Sequence, residues 1–181
     1  SANGDIGTTT AHALRFKTNN TLRMILDSNS RISLSNNDTS DDNTVFGFSA
    51  FNVGSDSGSH RNTVIGDLAM GTGTVASALN NVAIGASALT NLTGGDSNTV
   101  IGTSAGDAMT SQSNCILIGT NAGTSINHDD ANGTTIVGRD AGEKLTSGIA
   151  NTALGYRSLT GNHTGDYNTS IGYESARGVT D

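Results

Sequence analysis

The sequence predicts an all-β fold, a parallel β-solenoid or β-roll of about eight coils with 17–19 residues in each coil. The first observation is a repeated phrase: "NTVIG" occurs at Asn62–Gly66 and again, unchanged, at Asn98–Gly102. The second is that β-branched residues recur at one position of every copy, as strands prefer. The third is that the 181 residues include no proline, which suits a chain whose backbone N–H groups are needed in ladders.

The repeat is aligned on its glycine, and the glycines are separated by 19, 19, 17, 17, 19, 17 and 17 residues. The two spacings differ by two, so a longer coil keeps the alternation of side chains between the two faces of a strand. The glycine allows a bend that a Cβ would hinder. The repeat glycines are Gly47, Gly66, Gly85, Gly102, Gly119, Gly138, Gly155 and Gly172.

Positions counted from the glycine form columns of similar residues. A large apolar residue stands at position −1, as in Ile65, Ile84 and Ile101, and Thr, Val or Ile stands at −3. Position +3 holds Ala or Ser, which suits a tight turn. Position −4 holds asparagine in six of eight copies, and a stack of asparagines predicts an amide ladder along the solenoid. These are Asn43, Asn62, Asn81, Asn98, Asn151 and Asn168.

The large apolar residue that fills each coil does not stand at the same position in every copy. Position +4 is large and apolar in four copies, whereas three others have Gly106, Gly123 or Gly142 there and a large residue three positions later. One filler per coil is what a narrow interior requires, because voids cost stability.

Both faces of the repeated strand are apolar. We expect position −1 to face the coil interior, with the −3 threonines in line with it, and position −2 to face partner chains around an axis. The alternative is a wider coil whose own loops cover position −2.

Residues 1–42 lie outside the repeat and predict an N-terminal β-hairpin or cap with a connector, whereas residues 43–181 form the predicted solenoid domain. Within this first region, Leu22–Leu34 predicts a hairpin, because Asp27–Ser30 is typical of a turn between two strand-like runs.

Two stretches resemble known families. "NVAIGASAL" at 81–89, with the copies "NTVIGDLAM", "NTALGYRSL" and "NTSIGYESA", resembles the head repeat of trimeric autotransporter adhesins, although those heads have a shorter period. It resembles still more the longer-period arrays of bacteriophage tail fibres. "TLRMILDSNSRISL" at 21–34 is similar to the hairpin that often precedes such arrays, with Ser30 in place of the usual glycine.

The resemblance implies a structural and adhesive segment of a trimeric phage tail fibre, located on the virion or otherwise extracellular. It implies two partners: further copies of this chain, and a host cell-surface glycan or protein. The runner-up is the head domain of a bacterial trimeric surface adhesin. A third alternative is an ice-binding solenoid, since threonine recurs at −3, but threonines in line with inward positions would not be presented to solvent.

No catalytic residues are predicted, and we expect neither enzymatic activity nor a cofactor. His128, Asp129 and Asp130 are consecutive in a longer coil, where a solvated loop explains them better than a metal site, and "GSDSGSH" at 54–60 lacks the acidic spacing of a calcium loop.

Cys115 replaces the repeated asparagine and is expected to be a small buried hydrophobe. Tyr156, Tyr167 and Tyr173 form a possible recognition patch, and the competing interpretation is that they only stack between coils.

Charge and hydropathy exclude other classes of protein. The nine basic residues are scattered in a chain of net charge −7, so we expect no nucleic-acid partner. No apolar run approaches the roughly 20 residues of a membrane span, so we expect no insertion into a membrane.

Overall fold

The structure, a computed structural model, describes residues 14–18, 21–26, 32–33, 42–51, 58–72, 74–161 and 163–178. The described chain is all-β and contains two sheets. Its one stretch of helix is a single 3-10 turn at Asp129–Ala131.

The first sheet has three antiparallel strands, β1 (Leu14–Thr18), β2 (Thr21–Leu26) and β3 (Ile32–Ser33). Strand β2 pairs with β3 through Ile25 opposite Ser33 and Leu26 opposite Ile32, and β1 pairs with the other edge of β2. The predicted turn at 27–30 and the connector at 35–41 lie outside the described residues. That this sheet serves as a cap for the solenoid stays a prediction.

The second sheet is the predicted β-solenoid, and its eight parallel strands are joined by seven coils. Each strand has three residues and pairs with the strand of the next coil in the order of the sequence. The strands are β4 (Thr44–Phe46), β5 (Thr63–Ile65), β6 (Val82–Ile84), β7 (Thr99–Ile101), β8 (Ile116–Ile118), β9 (Thr135–Val137), β10 (Thr152–Leu154) and β11 (Thr169–Ile171).

The register is set column by column. Ala83 of β6 lies opposite Val100 of β7, and Val100 lies opposite Leu117 of β8, so position −2 always meets position −2. Coils of 17 and 19 residues stack in the same register, because the two extra residues are accommodated between the strands. The predicted solenoid and its alignment on the glycines are therefore confirmed.

The predicted orientation of the strands is wrong. Position −2, expected to face partner chains, lines the coil interior: Val64, Ala83, Val100, Leu117, Ile136 and Ala153 are fully buried within one chain. Positions −1 and −3 face outward, and Ile65, Ile84 and Ile101 keep contact with solvent. The physical reason is the width of the coil. In six of the eight coils position −2 holds Ala, Val or Ser, which suit a narrow interior better than the larger −1 residue, and where it holds Leu117 or Ile136 a glycine at +4 makes room.

Inside the coil, the size of the side chain at position −2 is matched by the size of the residue at position +4. Where position −2 is large, as in Leu117 and Ile136, position +4 of the adjacent coils is glycine. A Cβ on Gly106 would lie 2.9 Å from Leu117 Cδ1, and one on Gly142 would contact Ile136 Cδ1. The predicted fillers are all buried: Phe51, Met70, Leu89 and Leu159 at +4, and Met109, Ile126 and Leu145 three positions later.

Tight corners turn each coil, and non-glycine residues take left-handed backbone there. In one coil these are Ser87, Leu89 and Ser97, with φ of 57°, 52° and 61°. Such residues cost of order 1 kcal/mol each and persist only where the surroundings hold them. The regular recurrence of these corners places every strand at the same position in its coil.

The asparagines at −4 form the predicted amide ladder, which is complete around Asn62 and Asn81. Asn62 Nδ2 donates to Asn43 Oδ1 at 3.0 Å and to the carbonyl oxygen of Ala78 at 2.9 Å. Its own Oδ1 accepts the backbone N–H of Asn81 at 2.9 Å and the Asn81 amide at 3.1 Å. The Asn62 amide therefore closes its own coil and also joins it to both neighbours, and Asn81 does the same.

The ladder is interrupted at two coils, where position −4 holds Cys115 and Thr134. Cys115 N–H still donates to Asn98 Oδ1 at 2.9 Å, and Cys115 Sγ lies 3.4 Å from the carbonyl oxygen of Ala131. Burial raises the pKa of the Cys115 thiol, and the backbone N–H groups of Thr134 and Gly133 oppose this rise. Cys115 is fully buried, as predicted for a small hydrophobe.

We predict that Gly85→Ala destabilises the chain by about 2–4 kcal/mol, measured as the free energy of unfolding in urea. The new Cβ would lie 2.6 Å from the carbonyl carbon and oxygen of Gly102 in the next coil, and Gly85 has a φ of 135° that alanine rarely adopts. Gly94→Ala is the matched control, since its Cβ would meet only Ser77 Oγ at 3.4 Å. Equal stability of the two variants would contradict the stacking of the glycines.

We predict that Cys115→Asn stabilises the chain by about 1–2 kcal/mol in the same assay. The new amide would donate to Asn98 Oδ1 and the Ala131 carbonyl, and its oxygen would accept the N–H of Thr134. Cys115→Ala, which offers none of these bonds, is expected to be less stable than the parent chain. The ladder interpretation fails if the asparagine variant is no more stable than the alanine variant.

Candidate functional site

The outward face of the eight-stranded sheet carries two parallel columns, which we call the outward stripe. One column is position −1, where all eight residues are large and apolar, and the other is position −3, where six of eight are threonine. The stripe is more exposed at its two ends: Phe46 is 49% exposed and Ile171 is 63% exposed, whereas Ile84 and Ile101 in the middle are half-buried. The remaining exposed surface of the middle rows still forms one continuous apolar and hydroxyl-bearing band.

The stripe is rigid, because each residue in it belongs to a strand that is paired on one or both sides. Parallel strands lie about 4.8 Å apart, so eight of them give a band about 34 Å long. The hydroxyls of the threonine column are therefore set at a regular spacing along the solenoid axis.

A second feature lies just past the repeat glycines, at positions +1 and +2, which we call the glycine corner. In the last three coils these positions hold Arg139 and Asp140, Tyr156 and Arg157, and Tyr173 and Glu174. The backbone is hydrogen-bonded from coil to coil: Arg157 N–H donates to the Arg139 carbonyl at 3.0 Å, and Glu174 N–H donates to the Tyr156 carbonyl at 2.8 Å.

Two of the three predicted recognition tyrosines meet at this corner. The rings of Tyr156 and Tyr173 stack with centroids 5.2 Å apart and planes 20° apart, and the Arg157 guanidinium lies 5.1 Å from the Tyr156 centroid. Tyr167 is 71% exposed, but it lies before β11 and therefore at the opposite end of the strand from Tyr173. The structure brings together the pair and leaves Tyr167 apart.

Charged side chains link the coils beside the tyrosines. The carboxylate of Asp140 is only 7% exposed; it accepts a hydrogen bond from Asn121 Nδ2 at 2.9 Å and lies 3.5 Å from Arg139 Nε and 3.7 Å from Arg157 Nε. Glu174 accepts from Arg177 Nη1 at 3.1 Å. The sequence places Arg157 and Glu174 directly after the two tyrosines, but the part played by Asn121, Arg139 and Asp140 was not predicted, although the +1 and +2 columns show their charges.

The residues considered for a metal site remain a surface turn. His128 caps the 3-10 turn, and its Nδ1 lies 3.2 Å from Asp130 Oδ2, with both side chains more than half exposed. Asp129 accepts a short hydrogen bond from Ser111 of the preceding coil. Among the residues that the structure describes, no group of three or more His, Cys, Asp or Glu comes together to hold a metal ion. Most of the 54–60 segment lies outside the described residues.

Over the described ranges, no helix has the length and apolar character that a membrane crossing requires. Comparison with protein-family models finds no match to the chain, and comparisons with curated proteins and with solved structures find none either. The two candidate sites are therefore identified from the structure alone. They are the outward stripe along the solenoid and the glycine corner of the C-terminal coils, which is rich in charge and aromatic rings.

Proposed function

We propose that the chain is a structural and adhesive segment of a trimeric tail fibre of a bacteriophage or phage-like particle, used in host attachment. The observation that carries the proposal is the outward stripe on a rigid solenoid. The resemblance of "NVAIGASAL" and its copies to fibre and adhesin repeats supplies the class of appendage.

Exposing the apolar residues of the stripe to water costs free energy. A continuous apolar band about 34 Å long is unusual on a soluble monomer and is typical of a surface that another chain covers. The −1 residues Ile65, Ile84, Ile101 and Ile118 are the ones that self-association would remove from water. The threonines beside them tolerate burial in such an interface, because their hydroxyls can hydrogen-bond to a facing chain.

The occupant that fits best is a second copy of the same solenoid. A partner with the same rise per coil matches the spacing of the stripe at every strand, so good packing at one coil is repeated at all eight. Three such chains around one axis would cover each stripe with its neighbours, and the interiors of the coils would remain independent. The inward column at −2 is not needed for this contact, which moves the interface predicted from the sequence to the other face of the strand.

The role in attachment follows from the shape and from the resemblance. A stacked solenoid has no hinge within it, so it can hold a distal binding surface at a fixed distance from a particle. Three copies of any weak site along its sides would bind a host surface with avidity, because the second and third contacts are intramolecular. The same architecture also serves the alternative, a head domain of a bacterial surface adhesin, and the genes beside this one would distinguish the two.

We predict that the double substitution Ile101→Asp and Ile118→Asp abolishes the trimer, measured as molar mass by light scattering on the eluted protein. The charges would be buried without partners in the interface but would meet only solvent in a monomer. Thr103→Asp with Thr120→Asp is the matched control, because both side chains are exposed and lie outside the stripe on the same two coils. A parent chain that elutes as a monomer would refute self-association through the stripe.

The outward threonine column also favours a second candidate, an ice-binding solenoid. The objection from the sequence was that the threonines point inward, and the structure places Thr63, Thr99 and Thr135 on the outward face with partial exposure. A flat lattice of hydroxyl and methyl groups at regular spacing could order water.

This second candidate predicts thermal hysteresis in the parent chain, measured by nanolitre osmometry. Thr99→Tyr, which breaks the flat lattice, would reduce the hysteresis by at least half, whereas Thr93→Tyr outside the stripe would leave it unchanged. A trimeric protein without hysteresis excludes ice binding and keeps the fibre proposal.

A further inference from the structure

The glycine corner changes character along the solenoid. In the first five coils Asp67 is the only charged residue among the ten at this corner, and the other nine are small, polar or apolar. In the last three coils all six residues are charged or aromatic: four are charged and two are tyrosine. Because the first five coils stack without these groups, stacking alone does not require an arginine, carboxylate and tyrosine network here.

We propose that this C-terminal corner binds a carboxylate-bearing saccharide, with Tyr173 as the stacking platform and Arg139 and Arg177 as the groups that hold the carboxylate. The inference rests on the proposed role in attachment and names the chemistry of the ligand. The corner is defined by Arg139, Asp140, Tyr156, Arg157, Tyr173, Glu174 and Arg177.

The aromatic part of the site is a broad exposed surface. Tyr173 is 74% exposed while stacked on Tyr156, so one ring supports the other and leaves the outer ring open to solvent. Arg157 lies over Tyr156 and helps to fix the pair. A flat apolar ring face with a hydroxyl at its edge can pack against the C–H face of a sugar ring and also hydrogen-bond to it.

The charged part has spare donors on each side of the tyrosines. The side chains of Arg139 and Arg177 are 66% and 57% exposed, and Arg139 approaches Asp140 through Nε, which leaves its terminal nitrogens free of that contact. Three guanidinium groups against two carboxylates give this corner a net charge of +1 in a chain whose total is −7. A guanidinium fork binds a carboxylate through two hydrogen bonds, and the carboxylates of the corner can accept from sugar hydroxyls.

A saccharide fits this corner better than a protein does. The corner spans three coils, about 10 Å along the axis, and its seven residues are far fewer than the roughly 20–30 that each partner of a stable protein complex contributes. The backbone of the corner is held by hydrogen bonds from coil to coil, so the main chain loses little further freedom on binding. A few polar groups around one aromatic face are sufficient for one or two sugar rings.

The test is a glycan array probed with the full chain in its assembled state. The array carries oligosaccharides that contain sialic acid or uronic acid, each paired with its carboxyl-reduced counterpart. We expect retention of carboxylated glycans and at least tenfold weaker binding of the reduced ones. Arg139→Gln with Arg177→Gln, and separately Tyr173→Ala, should each weaken binding at least tenfold, whereas Arg61→Gln, at a distant corner, should not.

Several results would overturn the inference. Equal binding of the carboxylated and reduced glycans would exclude the role of the arginines, as would binding that survives the double arginine substitution. Retention of no carboxylated glycan by a correctly folded parent chain, checked by circular dichroism, would exclude the site. Molar mass and adsorption to host cells are measured on the same samples. Adsorption without glycan binding refutes this site but not attachment, and a monomer that still binds carboxylated glycans refutes the trimer but not this site.

Discussion

The buried asparagine amide at position −4 is the interaction on which the rest of the structure depends. A coil of 17–19 residues has little apolar area of its own, so it must be tied to itself and to its neighbours. One amide does both, since Asn62 bonds to Ala78 in its own coil and to Asn43 and Asn81 in the adjacent coils. In a buried site, leaving such a group without partners costs 1–3 kcal/mol, and this penalty opposes any slip of the register.

Because the register is fixed, residues at the same position of successive coils lie next to each other. This explains the aligned glycines and the matched side-chain volumes in the interior. The glycines align because the carbonyl group of one approaches the Cα of the previous one too closely for a Cβ. Large and small residues alternate between positions −2 and +4 of a coil: Leu117 and Ile136 lie against glycines, whereas the coils with Ala83 and Ala153 at −2 have Leu89 and Leu159 at +4. Outside the coil no such volume limit applies, and the outward positions are available for other uses.

The two outward features differ in how regular they are. The stripe is nearly uniform over eight coils, as an interface between identical rods would be, whereas the glycine corner acquires charge and stacked tyrosines only in its last three coils. Under the proposed function, uniformity serves assembly and local variation serves recognition. The same solenoid can support both, because its interior holds the backbone in place whatever the outward side chains are.

The sequence by itself determined the period, the strands, the alignment of the glycines, the amide ladder and the fillers, because each leaves a recurring residue type at a fixed spacing. It did not determine which face of the strand is interior. Positions −1 and −2 are both apolar, and the alternation of side chains does not show which of the two columns points inward. The tertiary structure decided this through volume: Ala, Val and Ser at −2 share the coil interior with buried Asn at −4, the larger Leu117 and Ile136 do so opposite glycines, and the −1 column lies outside. It also separated Tyr167 from Tyr156 and Tyr173, because distance along the chain does not reveal on which side of a turn a residue lies.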